Sequence, residues 1–268
     1  MYIFYGHRVL PDKQAVNVQG PDSGNVISVS NLERLLDRLT DYKCVSVDEL
    51  GDMRDVADDR CYALTFDDGF KDNLDVLLPI LKERGLQATY FVATRFLQGE
   101  IPFEYDLWQR VSHNGDSDDD YRTVRLQMKT GNYATRQAGM NEKYPQSDSN
   151  RTSERLMLSR DELVELSRES MLSIGSHSHS HLVLSRQLPW VAFNELSYSK
   201  RAMESWIGRR IEHFAYPYGA RSFWTDWLAR LAGYRSIFST EAKRAQRFQF
   251  CMPRIPLERA HAALDLEL

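Results

Sequence analysis

The sequence predicts an α/β fold of parallel strands with helices packed outside them. Three observations carry that reading. Short apolar runs rich in β formers alternate with helix-length amphipathic stretches along the chain. The length of 268 residues suits a single α/β barrel. Two adjacent carboxylates and a glycine, Asp67-Asp68-Gly69, close an apolar run at Cys61-Tyr62-Ala63-Leu64, and α/β folds gather their ligands at strand C-termini.

The elements follow in order. Residues 2–5 read as the first strand. Ser30 with Glu33 has the spacing of a capping box and predicts a helix through about residue 39. Residues 43–47 read as a strand, residues 48–53 as a short helix, and residues 61–66 as the strand that carries the carboxylates. A helix is expected over 73–84 with Gly85 as its stop, and Pro79 inside it predicts a kink or restart, because proline has no N–H to donate. Residues 87–92 are a β-rich strand. Ser159 with Glu162 repeats the capping-box spacing before a helix to about residue 168, and residues 172–176 form the next strand. A long helix over 189–207, stopped by Gly208, has Phe193, Leu196, Met203 and Ile207 at core-facing spacing, with Trp190 and Trp206 packed at its flanks. Strands at 213–216 and 234–238 flank a helix at 222–232. His213 reads as structural.

Residues 102–150 break the alternation and read as a polar, irregular insertion. Its run Asp116-Ser117-Asp118-Asp119-Asp120 lacks the glycine and terminal glutamate of a calcium loop and reads as a solvated acidic loop. Its aromatics, Phe103, Tyr105, Trp108, Tyr121, Tyr133 and Tyr144, suit either sugar stacking or anchoring of the insertion to the barrel. The insertion is expected to cover the strand ends and shape the substrate pocket.

Composition excludes several function classes. An apolar content of 42% supports a large core, and a net charge of −4 gives no basic footprint for nucleic acid. No stretch has the length of a membrane-spanning helix, and no signal-peptide pattern opens the chain. The three cysteines, Cys44, Cys61 and Cys251, have no metal-type spacing and are expected reduced. A cytoplasmic enzyme is the expectation. The oligomeric state leaves no signature in the sequence.

Two clusters carry the chemistry. Neighbouring carboxylates at Asp67 and Asp68 repel unless a cation shares the site. A metal ion resolves this, one Asp ligating it while the other handles a proton; a simple Asp-Gly turn is the alternative for these residues alone. The second cluster is His177-Ser178-His179-Ser180-His181. On a helix His177 and His181 share a face; in an extended chain all three histidines do. Imidazoles with a carboxylate suit zinc and similar metals.

Thr65-Phe66-Asp67-Asp68-Gly69, then His177-Ser178-His179-Ser180-His181, then Tyr216-Pro217-Tyr218-Gly219, resemble in order and spacing the motifs of the polysaccharide deacetylase family, the NodB-homology domain of carbohydrate esterase family 4. The resemblance covers residues 60–100 and 155–256 and a short N-terminal piece. It implies a distorted (β/α) barrel of about seven parallel strands, formed by one catalytic domain over 1–268 interrupted by the insertion. By the same resemblance Asp67 matches the general base, Asp68, His177 and His181 the ligands of one divalent metal, and Tyr218 the residue whose backbone N–H helps form the oxyanion hole. Zn2+ is the first expectation, with Ni2+, Co2+, Fe2+ and Mn2+ as alternatives. His179 matches no family role. Pro217, Gly219 and Arg254 are taken as substrate-binding positions.

Two departures stand out. Many members carry an Arg two residues before the proline of the third motif, where this chain has Ala215; Arg221, Arg254 or another basic residue is expected to replace it beside Asp67. The C-terminal general-acid motif is not matched by residues 254–261. Instead Tyr5-Gly6-His7-Arg8-Val9 resembles the opening strand of a circularly permuted branch, which makes His7 the candidate general acid. Asp226 reads either as a partner orienting His181 or as a solvent-facing helix residue. The function implied is removal of an N-acetyl group from an amino sugar in a glycan or its precursor, in surface-polysaccharide or O-antigen assembly. A deformylase or other amide hydrolase, or a non-catalytic glycan-binding protein, is the alternative.

Overall fold

The computed structural model describes residues 1–50, 60–145, 155–245, 250–260 and 264. Its strands are β1 (Tyr2–Gly6), β2 (Arg8–Leu10), β3 (Val26–Ser28), β4 (Lys43–Cys44), β5 (Cys61–Asp68), β6 (Ala88–Val92), β7 (Leu172–Ser176), β8 (His213–Ala215), β9 (Ser236–Phe238), β10 (Cys251–Met252) and β11 (Ile255–Pro256). Nine of them form one sheet in the order β10-β9-β8-β7-β6-β5-β1-β11, with β4 also paired to β5. Every pairing in it is parallel. β2 and β3 form a separate parallel pair.

The two ends of that order, β10 and β11, are separated in the chain only by Pro253 and Arg254. From Met252 to Ile255 the backbone spans at most about 10 Å. The sheet therefore has to curl until its ends meet, and Arg254 lies in the seam. This is the parallel barrel the sequence implies. Its strand count exceeds about seven because β10 and β11 are two residues each, too short to leave a periodic signal.

Side-chain alternation along each strand builds two cores. Ile3, Cys61, Ala63, Phe91, Ala215 and Phe238 fill the barrel interior. Their neighbours Tyr2, Phe4, Tyr62, Leu64, Phe66, Tyr90, Phe214 and Ile237 face outward to the helices. Gly175 belongs to the interior set, and a Cβ there would lie 2.4 Å from the Phe91 ring. Only glycine lets that ring fill the barrel centre.

The helices follow the expected plan with local corrections. The helix Val29–Arg38 is capped by Ser28, whose side chain accepts from the Asn31 N–H, two residues before the expected cap. Ser30 instead hydrogen-bonds Asp12. The short helix at Val47–Leu50 is present, and its expected end at Met53 lies outside the described residues. The stretch after β5 opens with a wide π-type turn at Asn73–Leu77 and restarts as Leu78–Arg84 with Pro79 in its first turn. Proline is tolerated there because first-turn N–H groups have no partner within the helix. Ser159 and Glu162 make the reciprocal capping box. On Pro189–Ile207, Leu196 and Met203 are buried, whereas Trp190 is 63% exposed and does not pack as expected.

Over its described residues, 102–145, the insertion is helical, not irregular. Helices Phe103–His113, Asp118–Met128 and Tyr133–Lys143 enclose a core of their own that includes Phe103, Leu107, Tyr121, Met140 and Tyr144. The acidic run misleads because Asp118, Asp119 and Asp120 form a helical first turn, where the helix dipole favours negative charge. Ser117 and Asp120 cap it reciprocally. Two of the insertion's aromatics anchor it to the barrel: Tyr105 packs on Phe70, and Tyr133 lies under the Arg95 guanidinium.

Replacing Gly175 by Ala is expected to lower unfolding stability by about 1–3 kcal/mol, the usual penalty for overpacking a full core. Urea denaturation of both proteins measures it; an unchanged midpoint would show that Phe91 yields freely.

Candidate metal centre and active site

The site is built where β5, β7 and β8 end. Asp67 continues the inward set of β5. Asp68 would by alternation face the outer helices, yet its φ of 75° and the Gly69 N–H to Asp67 carbonyl bond of 3.0 Å make a γ-turn. That turn cancels the alternation and brings Asp68 to the histidines. Non-glycine residues rarely adopt this region. The described residues that do are Asp68, Ser178, His181 and Tyr218. All four belong to the three motifs singled out in the sequence, so backbone strain is concentrated at this site.

Asp68 Oδ1 lies 3.3 Å from His177 Nε2 and 3.2 Å from His181 Nε2. The three donor atoms lie within 4.8 Å of one another. Oδ1 is buried and has no hydrogen-bond partner, despite those two nitrogens. Atoms arranged this way point at a shared centre rather than at each other. Burial alone would raise the Asp68 carboxyl, but His181 and His177 hold it well below the usual carboxylate range. Burial likewise opposes the His181 imidazolium, and Asp68 outweighs it, raising that ring's pKa. The cluster is an electrostatic well for a cation.

The two histidines are held differently. His177 Nδ1 bonds the Ala215 carbonyl at 2.8 Å, fixing its ring as metal-bound imidazoles usually are. His181 Nδ1 is buried without a partner. Its ring is instead packed between His177, Tyr218 and Phe96, with centroids 5.0, 4.7 and 5.8 Å away.

Arg254 takes the place expected for the missing arginine. Its Nη1 and Nη2 donate to Asp67 Oδ1 and Oδ2, both at 2.7 Å, in a bidentate fork. Nη1 also donates to Thr65 Oγ1 at 3.0 Å and Nε to the Ser239 carbonyl at 3.1 Å. The Arg254 side chain is 0% exposed. Burial pushes the Asp67 carboxyl up, and Arg254 with His177 more than reverses this, holding it below its ordinary range. Arg221, the other candidate, binds Asp226 instead.

The remaining expectations sort as follows. His7 lines a cavity of about 280 Å³ with Tyr5, Asn25, Thr240, Glu258 and Arg259 among its walls. Burial lowers its pKa, while Asp68 and Asp67 act to raise it. Its neighbour Gly6 is crowded: a Cβ there would lie 2.6 Å from Leu257 Cδ1. Tyr218 stands at φ 59° between Pro217 and Gly219, and its hydroxyl donates to Glu104 Oε1 at 2.6 Å. His179 is turned away from the metal cluster: Nδ1 is 2.8 Å from Thr94 Oγ1, and the ring packs on Tyr198. Asp226 accepts from the Tyr216 hydroxyl and Arg221 and does not orient His181. Asp48, Glu212 and His213 form a second cluster of possible ligand type. There both ring nitrogens of His213 are already engaged, by Asp48 at 2.7 Å and Ser236 at 2.6 Å, which makes it the structural residue expected. Sequence reasoning missed Glu104 and Arg136, which reach the site from the insertion; neither lies in a recognisable motif.

The structure is a curled parallel barrel with an Asp-His-His set of possible metal ligands at its strand C-termini, beside Asp67. The profile of the polysaccharide deacetylase family matches residues 54–237, and the chain belongs to that family. The Bacillus subtilis protein YxkH is 22% identical over 191 residues, 71% of this chain and 48% of that protein; the chain thus spans about half the length of that curated relative. Among solved structures, a de-N-acetylase from Aggregatibacter actinomycetemcomitans superposes with a TM-score of 0.70 at 15% identity, covering 100% of this chain and 99% of its own. The Streptococcus pyogenes deacetylase PplD, in complex with acetate, gives 0.65 at 17% identity over 98% and 97%. IcaB from Ammonifex degensii gives 0.64 at 18% over 95% and 90%. At these identities the likeness is one of fold. His7 and Arg254 lie outside the matched segment, so the geometry alone brings Arg254 to Asp67.

Two outcomes are expected. Arg254→Met should destabilise the metal-free protein by about 3–5 kcal/mol, because it strands a buried carboxylate; chemical denaturation with a chelator present measures it. Burial, then Arg95, holds the His179 pKa down at about 4, against the ordinary 6.5 of a histidine. The folded state therefore binds fewer protons than the unfolded one, and this contribution to stability, present above pH 6.5, is lost as pH falls toward about 4. Ring-proton NMR should show His179 neutral at pH 6, and a ring titrating near 6.5 would contradict the assignment.

Proposed function

We propose that the chain is a metal-dependent carbohydrate N-deacetylase, which removes the acetyl group from an N-acetylated amino sugar of a glycan or glycan precursor. The observation that carries this reading is the convergence of Asp68, His177 and His181 on one point, with Asp68 Oδ1 lacking any hydrogen-bond partner. Two imidazole nitrogens and one carboxylate oxygen fit a zinc-type catalytic site with positions left open. The same donors accept nickel, cobalt, iron or manganese. A divalent ion bound there supplies Lewis-acid polarisation of the amide carbonyl and acidifies a water.

The chain's own residues do the rest. Asp67 accepts a proton from the attacking water. Each of its oxygens gives one lone pair to Arg254 and keeps another, and Arg254 keeps the group ionised. The backbone N–H of Tyr218 donates to the oxygen that becomes negative as water adds to the carbonyl carbon. His7 donates a proton to the sugar nitrogen as the C–N bond breaks, giving the free amine and acetate. Burial lowers its pKa overall, and Asp68 and Asp67 nearby act against that lowering. The cavity beside His7 receives the sugar.

A cytoplasmic place, in surface-polysaccharide or O-antigen assembly, belongs to the same proposal. The polysaccharide part is supported by the family, and the location by Cys44, Cys61 and Cys251, all free thiols. No helix among the described residues is long and apolar enough to cross a membrane.

Acetate release from N-acetylated oligosaccharides is the test. Zinc-loaded protein should turn over, lose activity to a chelator and recover it with zinc. Asp67→Asn should lower kcat by about 10²–10⁴-fold while retaining the metal. Glycan binding without turnover would identify a binding protein instead, and release of formate from N-formyl sugars alone would identify a deformylase.

A further inference from the structure

His181 is the loosely held ligand of the cluster. His177 has a carbonyl on its far nitrogen; His181 has none, and its backbone sits at φ 51°. Its N–H donates to Ser178 Oγ at 3.1 Å, and further supports come from the helical insertion. Arg136, on the helix Tyr133–Lys143, is 3% exposed and donates from Nη1 to the His181 carbonyl at 3.3 Å. Its Nη2 donates to the Lys129 carbonyl, and its guanidinium lies 4.9 Å from the Phe103 ring centroid. Glu104, on the helix Phe103–His113, is also buried and accepts from the Tyr218 hydroxyl at 2.6 Å. Lys129 Nζ stands 4.1 Å from the centroid of the same Tyr218 ring. That ring packs on the His181 imidazole.

Two chains of contact thus run from the insertion to one ligand: Arg136 to the His181 backbone, and Glu104 through Tyr218 to its ring. Burying an arginine and a glutamate costs several kcal/mol per ion unless each is paired and hydrogen-bonded. Arg110, the other buried arginine of the insertion, directs its hydrogen bonds inward, to Asp106, Asn141 and the Tyr144 carbonyl. Arg136 gives one hydrogen bond within the insertion, to the Lys129 carbonyl, and one outward, to the His181 carbonyl; Glu104 stands 3.6 Å from Arg125 Nε and accepts from the Tyr218 hydroxyl, on the residue packed against His181.

We propose that Arg136 and Glu104 are positioning residues that orient His181 for metal binding, so that the insertion sets the metal affinity of the barrel site. This rests on the reading of Asp68, His177 and His181 as metal ligands. Outer partners of metal-bound histidines typically alter affinity by about 10–100-fold when removed, and that is the scale expected here.

The test reads metal affinity rather than turnover. Cobalt and zinc dissociation constants of the full chain are measured by competition with a chromophoric chelator, together with the visible absorption of the cobalt form. Arg136→Met and Glu104→Ala should each weaken binding about 10-fold or more and shift the cobalt bands. Glu104→Gln, which keeps an acceptor for the Tyr218 hydroxyl, should restore most of the affinity. Arg110→Met, which loosens only the insertion, should lower the unfolding midpoint of the metal-free protein and leave the affinity of its folded fraction unchanged. Wild-type affinity and spectrum in Glu104→Ala and in a folded Arg136→Met would overturn the proposal. Equal weakening by Arg110→Met would also overturn it, by reducing the effect to insertion stability. If the unsubstituted protein binds neither metal, the ligand reading itself fails, and this inference with it.

Discussion

The bidentate pair between Arg254 and Asp67 is the contact on which the site depends. Arg254 sits in the two-residue link between the strands that end the sheet, so the same residue marks the barrel seam and reaches the Asp67 carboxylate. A guanidinium buried at 0% exposure needs its donors satisfied. Asp67, Thr65 and the Ser239 carbonyl do this from β5 and the end of β9. Closing the barrel and holding Asp67 ionised are therefore one event, and losing either should disturb the other.

Around that pair the backbone is bent against its preferences. Asp68, Ser178, His181 and Tyr218 all take positive φ, at a cost of order 1–3 kcal/mol each. The strain does geometric work at Asp68: without it, a strand carrying Asp67 inward would carry Asp68 outward. Ser178 and His181 are joined by a hydrogen bond from the His181 N–H to Ser178 Oγ at 3.1 Å. Glu195 accepts from the N–H groups of His179 and Ser180 at 3.0 and 2.6 Å. The histidine loop is over-determined by such bonds, which is how strained residues persist.

Much of this was legible in the sequence, because it rests on local patterns. The apolar runs gave the strands, glycines marked the helix ends at Gly85 and Gly208, and the spacing of His177 and His181 marked a pair. What stayed hidden is long-range or depends on context. Ala215 showed that an arginine was missing, but Arg254 and Arg221 could be told apart only once the seam was closed over a separation of 187 residues. The insertion looked irregular because a helical first turn of three aspartates has the composition of a loop. Arg136 and Glu104 are invisible for the same reason: a buried charge on an otherwise polar helix has no periodic signature. The γ-turn at Asp68 could be suspected from Asp-Gly, but not its consequence for which way Asp68 points.

Anomalous diffraction at the zinc edge, on crystals of the unsubstituted protein grown with zinc, tests the account most directly. The expected result is one strong peak about 2.0–2.2 Å from Asp68 Oδ1, His177 Nε2 and His181 Nε2, with the Arg254 fork still closed on Asp67. No peak there, or a peak only at Asp48, Glu212 and His213, would contradict it.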